Sequence, residues 1–137
     1  MALYLLDTDT VSYLIRGRSP ALDARVAGAR ADELCISAVT RGELLFGLQI
    51  KDGAHRLSRL VDEVLRRLPS LPWDDPAATH FARIAAQLHR SGTPIGQMDT
   101  LIAGHAASRG AVLVTNNSRH FSRVAGLVVQ NWCRPEG

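Results

Sequence analysis

The apolar positions of this chain fall into short continuous runs separated by stretches with helical spacing. Leu3 to Leu6 is one such run and predicts a buried first strand. Thr8, Asp9 and Thr10 then offer caps for a short helix through Val11, Leu14 and Ile15, which Gly17 should end. A second helix is expected from Pro20 to about Ala31, with Leu22, Val26 and Ala29 on one side, followed by a strand from Glu33 to Ile36. Ser37 should cap a helix from Ala38 to about Ile50. A further helix from Ala54 to Leu68 is predicted by Leu57, Leu60, Val61, Val64, Leu65 and Leu68. Ser70-Leu71, between Pro69 and Pro72, reads as a short extended piece ahead of Trp73. A long helix is expected from about Pro76 to His89, stopped by Gly92 and Pro94. Asp99 to Arg109 forms the next helix, with Asp99 as its cap and Gly110 at its end. Ala111 to Val114 is a strand leading into Thr115-Asn116-Asn117, and Leu127 to Val129 is a last strand before Trp132. Strands alternating with helices predict an α/β fold of βαβ units around a mostly parallel sheet.

The 137 residues contain no internal repeat, low-complexity tract or long linker, so a single domain over residues 1–137 is expected. Hydrophobic residues make up 46% and charged residues 21%, a globular balance that excludes intrinsic disorder. The two cysteines, Cys35 and Cys133, show no metal-binding spacing. Cys35 lies in the apolar run Leu34-Cys35-Ile36, where a reduced thiol acts as a small hydrophobe. A disulfide scaffold is not expected, and a reducing cytoplasm fits. The first apolar run is too short for a secretory leader and is interrupted by Asp7, and no stretch reaches the length of a membrane span. A soluble intracellular protein without membrane partners is the expectation. The net charge is +3, and its makeup is uneven: fifteen arginines and one lysine, Lys51. Guanidinium forks suit phosphate and bases. Arginine-rich codon usage produces the same composition, so the charge permits a nucleic-acid substrate without establishing one.

The chemistry is carried by three acids placed beside apolar sequence, where an isolated buried charge is very expensive. Asp7 directly follows the first strand, and ligands of open parallel sheets bind at the carboxyl ends of strands. Capping of the next helix, by Asp7 or Asp9, explains a lone Asp there better. Glu43 shares a helical stripe with Val39, Phe46 and Ile50 and so interrupts an apolar face, unless it reaches water or pairs with an arginine such as Arg41. Asp99 again resembles an N-cap. Taken as a set, all three can face one edge of the sheet, and Asn116 and Asn117 reach the same edge if their strand lies beside the first; the same amides also suit a plain turn. At an effective dielectric of about 20, two carboxylates some 4 Å apart repel by roughly 4 kcal/mol. Three gathered acids must therefore take up cations or hold a proton. Mg²⁺ is held by a few carboxylates and retains waters, leaving room for a phosphate, which points to hydrolysis of a phosphodiester by activated water. No phosphate-cradling loop or dinucleotide fingerprint is present, and His55, His80, His89, His105 and His120 show no zinc spacing.

In order, the chain resembles the PIN-domain ribonucleases, and within them the VapC-type toxins of bacterial type II toxin–antitoxin pairs. The matching pieces are Tyr4-Leu5-Leu6-Asp7-Thr8-Asp9-Thr10, Ile36 to Leu44, Pro94 to Ala103, Leu113 to Phe121 and Gly126 to Trp132. The resemblance implies a three-layer α/β/α fold and a metal-dependent endoribonuclease of the bacterial cytoplasm. It further implies Mg²⁺, or Mn²⁺, held by Asp7, Glu43 and Asp99. The family's fourth acidic position falls on Asn117, an amide, which puts a second ion in doubt. Thr115, Asn116, Arg119 and His120 are candidate RNA contacts. The resemblance also implies a homodimer, neutralisation by a small cognate antitoxin, and cleavage of structured RNA (tRNA or ribosomal RNA) that inhibits translation. Two alternatives stand beside it. A haloacid-dehalogenase-like phosphatase fits Asp7-Thr8-Asp9-Thr10 and Val112 to Asn116, but it needs a later lysine and acidic pair. After Thr115 the chain offers no lysine and only Glu136. A non-catalytic RNA-binding domain of the same fold would have little use for three retained acids.

Overall fold

The computed structural model describes residues 2–134; Met1 and residues 135–137, Glu136 among them, lie outside it. Each apolar run becomes a strand: β1 (Tyr4–Leu6), β2 (Leu34–Ser37), β3 (Ser70–Leu71), β4 (Val112–Val114) and β5 (Val129–Gln130). Between them lie α1 (Thr8–Arg16), α2 (Pro20–Gly28), α3 (Ala38–Gln49), α4 (His55–Arg67), α5 (Asp75–Ser91), α6 (Gln97–Ser108) and the single turn α7 (Ser118–Phe121). All strand pairings are parallel, in the order β3-β2-β1-β4-β5.

The two-residue period of the strands divides the core. Leu5 pairs with Cys35 and Leu113, and all three point to one face, beneath Ile84 and Leu88 of α5, Ile102 and Ala106 of α6 and Phe121 of α7. Leu6, Ile36 and Val114 point to the other face, beneath Val11 of α1, Leu22 of α2, Val61 of α4 and Trp132. Helices on both faces of a parallel sheet make the expected three-layer α/β/α arrangement. A one-residue slip in β1 would exchange Leu5 and Leu6 between two filled cores, so the register is tightly held. α3 closes the β2–β3 side, with Val39 on the first core and Leu44 and Leu48 on the second.

Several expected boundaries shift. α2 ends three residues early because Ala29 turns extended and leads into a 3-10 turn at Ala31–Glu33, where Glu33 accepts from the Arg30 N–H. The last strand is Val129–Gln130 rather than Leu127–Val129, and α7 occupies what the sequence presents as a turn. The cap of α6 is Gly96, at φ 92°, and Asp99 lies in the first turn of the helix. The crossover direction reverses between β1 and β4, and such a reversal opens a crevice at the carboxyl ends of the two strands.

Candidate active site

Asp7 stands at that crevice. Its N–H donates to the Val114 carbonyl, which ties the end of β1 to the end of β4. Its carboxylate caps α1 by accepting from the Thr10 N–H at 2.9 Å and also accepts from the Thr115 hydroxyl. Asp7 thus caps α1 from within the crevice. Asp7 is only 3% exposed. Burial pushes its pKa up, against the opposing effect of the hydrogen bonds from Thr115 and Thr10, and the Asp9 charge pushes it up further.

Glu43 arrives from α3. The expectation that it breaks a core-facing apolar stripe is not met, because Phe46 and Ile50 of that stripe are 64% and 68% exposed. Leu44 and Leu48, on the neighbouring stripe, carry the packing. Glu43 is half-buried at the margin, and its partner is Thr8, whose hydroxyl donates to Oε1 at 2.6 Å and lies 3.0 Å from the Thr40 hydroxyl. Arg41 is exposed. Thr8 adjoins Asp7, so one hydroxyl fixes Glu43 next to the buried acid.

Asp99, half-buried on α6, has Oδ2 3.3 Å from Nε2 of His120. The same Nε2 lies 2.5 Å from the Ile95 carbonyl, which only accepts, so Nε2 carries the proton. Burial raises the Asp99 pKa most; His120 lowers it, and the nearby charges of Glu43 and Asp9 raise it. Those couplings bring Asp99, Glu43 and Asp9 into one electrostatic neighbourhood.

Beyond β4, Thr115 is buried and bonded to Asp7, and its Oγ1 accepts from the Asn117 N–H at 2.9 Å. Asn117 is exposed and begins α7 without a side-chain cap bond. Oδ1 of Asn116 is buried without a hydrogen-bond partner among the described residues. Arg119 is exposed on α7. Three participants escape the sequence: Thr8, which holds Glu43; Asp9, which acts on both other aspartates; and His120 as the partner of Asp99. The Asp7-Thr8-Asp9 spacing was the available signal for the first two.

The donors fit a hard divalent cation. They are all oxygens, the charges on Asp7 and Asp99 are disfavoured where they stand, and Oδ1 of Asn116 lacks a partner. Among the described residues, however, no three His, Cys, Asp or Glu side chains form a group that could hold one ion. Mg²⁺ tolerates that, since it takes one or two carboxylates and keeps several waters.

Residues 4–127 match the PIN domain family model. The chain is 38% identical over 133 residues to the tRNA(fMet)-specific endonuclease VapC of Salmonella typhimurium, covering 97% of this chain and all of that protein. It is 37% identical over 132 residues to Ribonuclease VapC2 of Haemophilus influenzae, covering 96% and 99% of the two chains. The crystal structure of DNA-bound VapBC from Salmonella typhimurium superposes with a TM-score of 0.91 at 38% identity, covering 97% of this chain and all of that one.

Proposed function

The chain belongs to the PIN domain family, and from that membership we propose that it is a VapC-type ribonuclease, the toxin of a toxin–antitoxin pair. It is a nuclease that hydrolyses phosphodiester bonds and depends on divalent metal. The phosphatase alternative is set aside by the family match. Its protein partner is a VapB-type antitoxin. Among the described residues no helix is long and apolar enough to cross a membrane.

The finer reading is that the chain is one domain, forms a homodimer, and uses Mg²⁺, with Mn²⁺ as a substitute. It cleaves structured RNA, tRNA or ribosomal RNA, and so inhibits translation in the bacterial cytoplasm. The tRNA-specific relative favours tRNA of the two. The observation that carries this reading is Asp7: a buried acid of raised pKa at the β1–β4 crevice, with Glu43 bonded to the adjoining Thr8 and Asp99 feeling the charges of Glu43 and Asp9.

Of Asp7, Glu43 and Asp99, one or two would hold the ion directly and the rest through its retained waters. When bound, it supplies positive charge to the scissile phosphate and a more acidic water. The chain's own groups prepare that encounter. Thr10 and Thr115 hold Asp7 in one orientation, Thr8 holds Glu43, and His120 holds Asp99. Asp99 would orient a water for in-line attack on phosphorus and accept its proton; the P–O bond opposite breaks, and the leaving oxygen takes up a proton from solvent. Asn116, Asn117 and Arg119, following β4, are offered to the RNA backbone.

Asp7→Asn, Glu43→Gln and Asp99→Asn should each lower kcat for RNA cleavage by about 10²–10³-fold, the scale of losing one group that stabilises transition-state charge. Single-turnover cleavage of tRNA with Mg²⁺, and with a chelator as the control, measures this. Full activity in Asp7→Asn would remove the proposed site.

A further inference from the structure

A cleft of about 200 Å³ opens between α1, α3 and α4, outside the β1–β4 crevice. Its floor is apolar, formed by Ile15, Leu44, Leu48 and Val61, and its walls carry Thr8, Ser12, Arg16, Glu43 and Lys51. Two helices set its polarity. Thr8, Ser12 and Arg16 are spaced by four along α1, and Glu43 and Lys51 are eight apart along α3 and the residues just after it. Eight residues of helix climb about 12 Å. At the inner end Thr8 and Glu43 are hydrogen-bonded to each other; at the outer end stand two cations. Neither Arg16 nor Lys51 forms an ion pair among the described residues, and both are exposed. Lys51 is the chain's one lysine. Cations are favoured at helix C-termini, which accounts for the sign of each charge. It does not account for both lining the cleft that ends on Glu43.

We propose that Arg16 and Lys51 bind the RNA backbone at a phosphate flanking the scissile one, so that the strand enters along this cleft toward Glu43. This rests on the ribonuclease assignment and deepens it. The floor offers no hydrogen-bonding groups for base edges, so the cleft positions the strand without reading its sequence. Arg16 and Lys51 are positioning residues here; they take no part in the reaction itself.

The test uses a short fluorescent single-stranded RNA of mixed sequence and the full chain in chelator, where binding is read without cleavage. Arg16→Gln and Lys51→Gln should each weaken binding, and each should flatten the dependence of log K on log salt by about 0.7. Both changes should be alike for unrelated sequences. With Mg²⁺ present, KM for tRNA should rise while kcat holds. Because Lys51 is unique, its acetylation by an amine-reactive ester, read by mass spectrometry, should slow when RNA is bound. Both residues are exposed, and circular dichroism checks that the variants fold. If wild type binds and cleaves RNA and the variants match it in affinity and salt slope, the cleft assignment falls and the ribonuclease assignment stands. Wild-type protein that neither binds the single-stranded probe nor cleaves tRNA overturns both. Protection of Lys51 by an antitoxin but not by RNA would give the cleft to the protein partner and overturn the proposal.

Discussion

At the scale of single residues, the site works against the stability of the chain that carries it. The Asp7 carboxylate is buried, and its pKa stands above the ordinary 3.8 chiefly because of that burial. Over the interval between 3.8 and the raised value, the folded protein holds a proton that the unfolded chain has lost. Stability from this group is therefore full below 3.8 and is lost as pH rises through the folded value. Asp99 has a shift of the same sign. In chelator at neutral pH, Asp7→Asn should thus be more stable than wild type, and the gap should close toward about pH 4. Urea unfolding across that interval measures it; a variant less stable than wild type at every pH would show that the hydrogen bonds from Thr10 and Thr115 outweigh the desolvation. The same residue shows what sequence can disclose. Asp7 after an apolar run suggested either a cap or a ligand, and the fold makes it the cap while burying it. Glu43 was harder, because apolar spacing cannot tell a core stripe from an exposed one, and Phe46 and Ile50 lie in the open. Asp99 was the expected cap of α6, but Gly96 takes that place. The positive φ at Gly96 decided the boundary, and no side-chain pattern announces a backbone angle.

At the scale of elements, the long periodic segments were legible because each buries a face of one core. α4 shows this best, its expected limits missing by one residue at either end. α7 and the 3-10 turn were not, since four and three residues are too few to express a period. Glycines were legible as breakers but not as contacts. Gly104 lies within α6, where a Cβ would meet the Phe81 backbone of α5 at 2.7 Å. That close approach lets α5 and α6 pack as one layer, and α6 in turn carries Asp99. His105, next along α6, is fully buried with Nδ1 2.7 Å from the hydroxyl of Ser37, the residue that caps α3, so the two acid-bearing helices are also tied through the core. Gly104→Ala should cost about 1–3 kcal/mol by overpacking. Gly42→Ala in α3, where a Cβ meets nothing within 4 Å, should gain up to about 1 kcal/mol from helix propensity. Equilibrium denaturation distinguishes them; equal effects would mean that α5 slides without strain.

At the scale of the whole molecule, what the sequence withheld was neighbourhood. Alternating strands and helices imply a parallel sheet, but the positions of β1 and β4 side by side, with the crossover reversing between them, depend on contacts between segments over a hundred residues apart. That adjacency is what sets Asp7 against Thr115. The acids, so gathered, remain short of a closed cage: their charges influence one another, yet no three of them are set to grasp one ion. An ion would therefore act on the fold as much as on the substrate, relieving the repulsion that the protein otherwise sustains. Any ligand bound only by the folded state stabilises it, by about 2.7 kcal/mol at a hundredfold excess over Kd. For a domain of this size that is roughly 8 °C in melting temperature. Titrating Mg²⁺ into the chelated protein in a calorimeter should produce a saturable rise of this order in wild type. The rise should be much smaller in Asp7→Asn and nearly absent when Asp99→Asn is added, because each substitution removes both a proposed ligand and part of the repulsion. Mn²⁺ should act at lower concentration, following its stronger affinity for oxygen and nitrogen donors. A melting temperature that ignores both ions in wild type would mean that the three carboxylates neither need nor hold a cation, and the proposed chemistry would lose its centre.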